Sequence, residues 1–257
     1  MDCRTVLRLD GGFAKWKSPS RVHAGLRLGS VVADQHVPDE PERYRQVRFE
    51  PPSGSTEILL IRHGESEAAD PARPFPLVDG RGDPALSPLG RQQAIRVAER
   101  LAITRVDAIY VTSLRRTAET AAPLAARLGI VPQVEPALAE VNLGEWEGGL
   151  YRQRVAQGDP VVVQMREEER WDVIPGAESN LEIAARVGPA IERIAKSHPD
   201  QRVACFAHGG TIGAVLAIAT GSRPFAFIGS DNGAISAMVV VGSHWLLRGF
   251  NDRSHLE

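Results

Sequence analysis

From Glu57 onward the chain alternates short, unbroken apolar runs with segments whose apolar residues recur at helical spacing. Ile58-Leu59-Leu60-Ile61, Ala108-Ile109-Tyr110-Val111 and Val203-Ala204-Cys205-Phe206-Ala207 are runs of the first kind, and each predicts a buried strand. Ser87 followed by Pro88 predicts a helix N-cap and first helical position, with Leu89, Ile95, Ala98 and Leu101 as the apolar stripe. A second helix is expected from Arg115 to Leu128, ended by Gly129, and then a short strand over Val131–Val134. Asn180 is placed to cap an amphipathic helix running to Ser197, and an apolar helix is expected over Thr211–Thr220. Two closing strands, Ala234–Val241 and Trp245–Phe250, are joined by a turn at Gly242-Ser243. Loops rich in Pro, Gly and Asp fill 67–87, while 150–174 is polar and helical in part until Pro175-Gly176 breaks it. This alternation predicts an α/β fold of three layers, a mostly parallel central sheet with helices on both faces.

Residues 1–55 do not share the pattern. They lack sustained periodicity and end in Pro51-Pro52-Ser53-Gly54-Ser55, a linker-like stretch. The piece from Val6 to Lys17 resembles the closing motif of a rhodanese domain, but it is far too short to be one and no catalytic cysteine loop precedes it. The expected organisation is therefore an irregular or loosely packed extension over 1–55 and one domain over 56–257.

Composition narrows the function classes. Charged residues are plentiful and balanced, for a formal net charge of -2 over 257 residues, so bulk electrostatics favour no nucleic-acid partner. Any anion recognition must come from local basic clusters. The two cysteines, Cys3 and Cys205, are too few for a disulfide scaffold and fit a reducing compartment. No apolar run reaches the roughly 18 residues of a membrane span and no signal-peptide core is seen at the N-terminus, so no membrane partner and a cytoplasmic location are expected.

The chemistry concentrates where strands end. Arg62-His63-Gly64-Glu65-Ser66 follows the first apolar run directly. A guanidinium stays charged at working pH, so Arg62 must face water or an anion, and its charge opposes both metal binding and an imidazolium at His63. A neutral, nucleophilic imidazole beside an anion clamp suits attack on phosphorus; the competing reading is a plain surface turn. A second strand ends in His208-Gly209-Gly210, and in open α/β sheets the ligand crevice lies at the carboxyl ends of the strands, where the two histidines can converge. The strand over 108–111 runs into Thr112-Ser113-Leu114-Arg115-Arg116-Thr117, which delivers a guanidinium at a helix start. The loop over 136–148 adds Glu140, Glu145 and Glu147 among glycines. Zinc is the rival chemistry, and the two cysteines are unsuitably placed to supply it.

Together these segments resemble the histidine phosphatase superfamily, also called the phosphoglycerate mutase-like family, over roughly residues 56–257. The resemblance is carried by Arg62-His63-Gly64-Glu65-Ser66, by Leu114, Arg116, Thr117, Thr120 and Ala121, and by Leu138, Glu140, Gly144, Glu147 and Gly148. It continues through Pro175-Gly176-Ala177-Glu178-Ser179, His208-Gly209-Gly210 and the tail Asn251-Asp252-Arg253-Ser254-His255-Leu256. It implies a phosphoglycerate mutase-like fold with His63 as the nucleophile that becomes phosphohistidine. Arg62, Arg116 and His208 would hold the phosphoryl oxygens, and Glu140 would protonate the leaving oxygen and then deprotonate water. Gly64, Ser66 and Gly209 would border the substrate. Arg115 competes with Arg116, and Glu145 and Glu147 with Glu140; motif position favours Arg116 and Glu140. One departure stands out, Ala69, where many members carry an asparagine that helps hold phosphate.

The expected activity is hydrolysis of a small phosphorylated substrate, with no metal and no organic cofactor. The alternatives are a cofactor-dependent phosphoglycerate mutase-type phosphotransferase and a non-catalytic phosphate- or protein-binding module. Mutases of this family carry a Trp-Asn-rich stretch after the first signature and Asn-Ser after the second His-Gly. Here Glu67-Ala68-Ala69-Asp70 and Gly210-Thr211-Ile212 stand in those places, which favours the phosphatase branch. Arg73, Arg81, Arg152, Arg154 and Arg166 are candidates to line a pocket for a second negative group. Residues 150–174 are placed to act as a lid. His23, His36, His198 and His244 read as surface residues and His255 as structural. A homo-oligomer is left open, since an exposed strand edge near the C-terminus could pair.

Overall fold

A computed structural model describes residues 45–257. The expectations for Val6–Lys17, Cys3, His23 and His36 lie outside the described residues, as does most of the extension. Phe49–Glu257 forms one compact unit.

The apolar runs become strands of one six-stranded sheet. In chain order its members are β1 (Thr56–Arg62), β4 (Ala108–Val111), β5 (Gln133–Val134), β6 (Arg202–Ala207), β7 (Ile235–Val241) and β8 (His244–Asp252), arranged β5-β4-β6-β1-β7-β8. A separate small hairpin pairs β2 (Leu77–Val78) with β3 (Arg81–Gly82). The β5-β4-β6-β1 half is parallel. Strand β7 is added antiparallel to β1, and β8 antiparallel to β7, the second pairing because the two-residue turn at Gly242-Ser243 has room only for a hairpin.

Side chains alternate across a strand, and here the alternation separates two cores. Ile58, Leu60, Val203, Cys205 and Ala207 face one core; Ile61, Ile109, Val111, Ala204 and Phe206 face the other. The first core is closed by α5 (Asn180–Ser197) and α6 (Gly209–Thr220). The second is closed by α1 (Pro88–Ala102) and α2 (Arg115–Leu128). Helices on both faces of a mostly parallel sheet are the expected layers.

The polar segment after the acidic loop contributes α3 (Leu150–Gln157), α4 (Pro160–Glu168) and a 3-10 turn over Trp171–Val173. Among the described residues no helix is long and apolar enough to cross a membrane.

Several details differ from expectation. In α1 the buried face is Gly90, Ala94, Val97, Ala98 and Leu101, whereas Leu89 and Ile95 are about half exposed, at 48% and 47%. The small face turns inward because the helix start must lie against Gly64. A Cβ on Gly64 would stand 2.4 Å from the carbonyl oxygen of Gly90, so only glycine allows this approach. The cap of α5 is Ser179 in place of Asn180. Ser179 Oγ accepts from Glu182 N, and Glu182 Oε2 accepts from Ser179 N, a reciprocal capping box that leaves Asn180 Nδ2 to donate to Glu169 O. The short strand begins at Gln133 instead of Val131, and α6 begins at Gly209 instead of Thr211. His198 is half-buried, bonded to Tyr110 Oη at 3.0 Å and to Gln201 Oε1 at 2.6 Å, so it belongs to the structure and not to the surface.

Candidate active site

The register of two parallel strands brings the histidines together. Arg62 pairs with Ala207 across β1 and β6, and His63 N donates to Ala207 O at 3.0 Å. The next residues, His63 and His208, therefore leave neighbouring strands side by side. Their ring centroids are 5.2 Å apart, with 60° between the planes. Strand β4 borders β6 on its other side, and its exit residue Thr112 places Oγ1 3.0 Å from His208 Nε2.

These elements border a cleft of about 240 Å³. Arg62, His63, Arg116 and Glu140 are in its wall, with Phe75, Trp146, Tyr151 and Trp171 as aromatic surfaces. His208 sits one layer deeper, fully buried. Its Nδ1 has no hydrogen-bond partner among the described residues.

The imidazole of His63 is oriented by its own backbone neighbour. Nδ1 lies 2.7 Å from the carbonyl oxygen of Gly64, which can only accept, so Nδ1 carries the proton and Nε2 keeps the lone pair. Burial pushes the His63 pKa well below its ordinary value, and the charges of Arg116 and Arg62 push it further; the Gly64 carbonyl acts weakly the other way. His208 is lowered in the same sense, by burial and then by Arg116, His63 and Arg62. Both rings are neutral at physiological pH.

The guanidinium groups are fixed mainly by backbone carbonyls. Arg62 Nη1 donates to Ser230 O, and its buried Nε has no partner among the described residues. Arg116, 6% exposed, donates from Nη1 to Gly82 O at 2.8 Å and lies 4.0 Å from Asp83 Oδ1. Burial lowers its pKa to about 10, against the raising charges of Glu140 and Asp83. It remains a cation. Arg115, by contrast, points outward to Glu119, the surface charge expected of it.

Glu140 Oε1 accepts from Val141 N at 3.0 Å and Thr211 N at 3.3 Å. The peptide that carries it is clamped as well: Arg81 Nε (2.5 Å) and Arg186 Nη2 (3.2 Å) both donate to Glu140 O. The competing acids have other partners. Glu147 accepts from Gly82 N and Leu143 N, tying two loops, and Glu145 is exposed. Gly64 N donates to Thr120 Oγ1, so this glycine serves through close backbone approach and its carbonyl instead of a free donor. Ser66 Oγ accepts from Arg152 Nη2 at 2.6 Å, and Gly209 opens α6 beside Arg62.

Of the other arginines, Arg81 and Arg152 border the cleft. Arg73 and Arg154 are turned to Asp70 and Asp159, and Arg166 is exposed. Thr112, Gly82 O and Ser230 O were not singled out by the sequence. Thr112 carries a weak signal as a hydroxyl at a strand exit, while carbonyl partners leave none. Among the described residues no group of three or more His, Cys, Asp or Glu side chains is placed to hold a metal ion.

Known proteins are similar to this chain in sequence and in fold. Glucosyl-3-phosphoglycerate phosphatase of Mycobacterium tuberculosis is 33% identical over 168 residues, covering 62% of this chain and 73% of that protein. A metal-independent phosphoserine phosphatase of Arabidopsis thaliana is 32% identical over 206 residues, 78% of this chain and 83% of its own length. The solved native structure of the mycobacterial glucosyl-3-phosphoglycerate phosphatase superposes with a TM-score of 0.65 at 29% identity, covering 77% of this chain and 99% of that one. The sequence profile of the histidine phosphatase superfamily (branch 1) matches residues 58–253, and the chain belongs to that family.

Proposed function

We propose that this protein hydrolyses small phosphomonoesters through a phosphohistidine on His63. The observation that carries the reading is the bond from His63 Nδ1 to Gly64 O, which leaves Nε2 as a lone-pair nitrogen in a cleft walled by Arg62, Arg116 and Glu140. Attack by Nε2 on phosphorus breaks the ester P–O bond. Negative charge on the transferring oxygens is met by the two guanidinium groups and by an N–H of His208. That N–H is Nδ1–H when Thr112 Oγ1 donates to Nε2. Glu140 supplies the proton to the leaving oxygen. It then removes one from the water that attacks the phosphohistidine, and inorganic phosphate departs.

The names of the relatives support this class, since two of them are phosphatases of small phosphorylated compounds. The aromatic walls suit a leaving group with an apolar or sugar-like face. The test is a single-turnover reaction of an aryl phosphate, with and without a chelator. Phosphate should be released to water in both, and H63A should abolish it. Transfer chiefly to a bisphosphoglycerate-type acceptor would instead support the mutase reading.

A further inference from the structure

Arg152 has a setting unlike its neighbours. It is the third residue of α3 and borders the cleft with Arg62 and Arg116. Both of its hydrogen bonds go to neutral oxygens, Nη1 to Glu67 O at 2.7 Å and Nη2 to Ser66 Oγ at 2.6 Å. Its Cζ lies 5.2 Å from the centroid of the Phe75 ring. Arg81 has Glu178 and Arg154 has Asp159, whereas no described carboxylate forms an ion pair with Arg152. Glu65, whose charge favours the protonated guanidinium, is itself turned to Ser87 Oγ.

The approach of α3 to the cleft depends on two small residues. Gly149, with φ +102°, precedes the helix, and a Cβ there would stand 2.9 Å from the Ala69 methyl and 3.1 Å from Phe75. A larger side chain at either position would push the start of α3 away and withdraw Arg152. The fold thus holds a third guanidinium near two like charges: Arg62 disfavours the charge on Arg152, and Arg152 disfavours that on Arg116 and the charged form of His63. Such repulsion is relieved by an anionic guest, and the fixed planar donors of arginine match phosphate oxygens.

We propose that Arg152 is a third substrate-contacting arginine, which donates to the phosphoryl group from α3 while Ser66 and Glu67 hold its guanidinium in place. This rests on the reading of the cleft as a phosphoryl site, and the test separates the two. Calorimetric titration with inorganic phosphate and with orthovanadate is compared for wild type, R152A and R152K, alongside aryl phosphate turnover and thermal melting. R152A should bind both anions at least about tenfold more weakly, with a similar loss in kcat/KM. R152K should recover part of both, and melting should be unchanged because the side chain is exposed. Lowered melting with unchanged anion affinity would make Arg152 a structural residue and overturn the inference. Arg152-dependent phosphate binding without wild-type turnover would sink the hydrolase reading and leave the Arg152 contact standing. Wild-type turnover with unaltered anion binding in R152A would do the reverse, and a wild type that neither binds nor turns over would remove both.

Discussion

Arg186 and Glu178 form a two-pronged ion pair, with Nε 2.5 Å from Oε1 and Nη2 3.0 Å from Oε2, and both side chains are largely shielded from water. The same guanidinium donates to the carbonyls of Ala137, Ala139 and Glu140, so the pair fixes the loop that carries the proposed acid. Burial opposes the Glu178 charge, yet the hydrogen bonds and charge of Arg186, with the Asn142 amide and Arg81, hold its carboxyl below the usual range.

Removing the arginine takes the two-pronged partner from the shielded Glu178 carboxylate, which keeps only Asn142 N and Arg81, and removes one donor each from the Ala137, Ala139 and Glu140 carbonyls. R186A is expected to lose about 3 kcal/mol of stability, read by chemical denaturation. R186K keeps the charge but not the fork. It should remain folded and lower kcat more than it raises KM, with the largest loss on esters of poor leaving groups, which depend most on the acid. An equal loss on good and poor leaving groups would show that the clamp does not act through Glu140.

A pH dependence follows from the buried rings. His63 and His208 have folded pKa values below that of the unfolded chain, so the unfolded state binds more protons as pH falls below about 6.5. Their contribution is fully present above that pH and is lost on the way down toward the folded pKa. Each ring adds a slope of about 1.4 kcal/mol per pH unit within that window. Denaturation of wild type and H63N at several pH values should show the variant gaining on wild type as pH drops below about 6.5. A constant gap would mean His63 is not held neutral by the fold.

The contact between the β1 exit and α1 makes a steric prediction. In G90A the new Cβ would lie 1.9 Å from Glu65 O, and in G64A 2.4 Å from Gly90 O. Both clashes are with backbone, so each variant should lose about 1–3 kcal/mol. Activity should fall in both, including G90A, because the shift is transmitted through Gly64 O to the His63 ring. A G90A protein with a lowered melting point but full turnover would contradict that coupling.

Much of this architecture can be read from the chain, for identifiable reasons. Unbroken apolar runs at 58–61 and 203–207 mark strands covered on both faces, and identical His-Gly exits from two such strands point to one edge of one sheet. The motif order of the resemblance distinguishes Arg116 from Arg115. What stays hidden depends on partners distant in sequence or on competition between near neighbours. Leu89 and Ile95 look like core, but α1 turns its small residues inward to reach Gly64. Ser179 outcompetes Asn180 because Glu182 lies three residues beyond it. Arg73, Arg81 and Arg152 are alike as sequence; only the fold pairs Arg73 with Asp70 and brings Arg152 to Ser66.

In the proposed reaction Nε2 of His63 bonds to phosphorus. Rapid quench into alkali of excess protein reacted with a radiolabelled phosphomonoester tests it directly, followed by peptide mapping. Label should appear transiently on the peptide containing His63, acid-labile and base-stable, persist longer in E140Q with a good leaving group, and be absent in H63A. Turnover without label on that peptide, or turnover undiminished in H63A, would contradict the account.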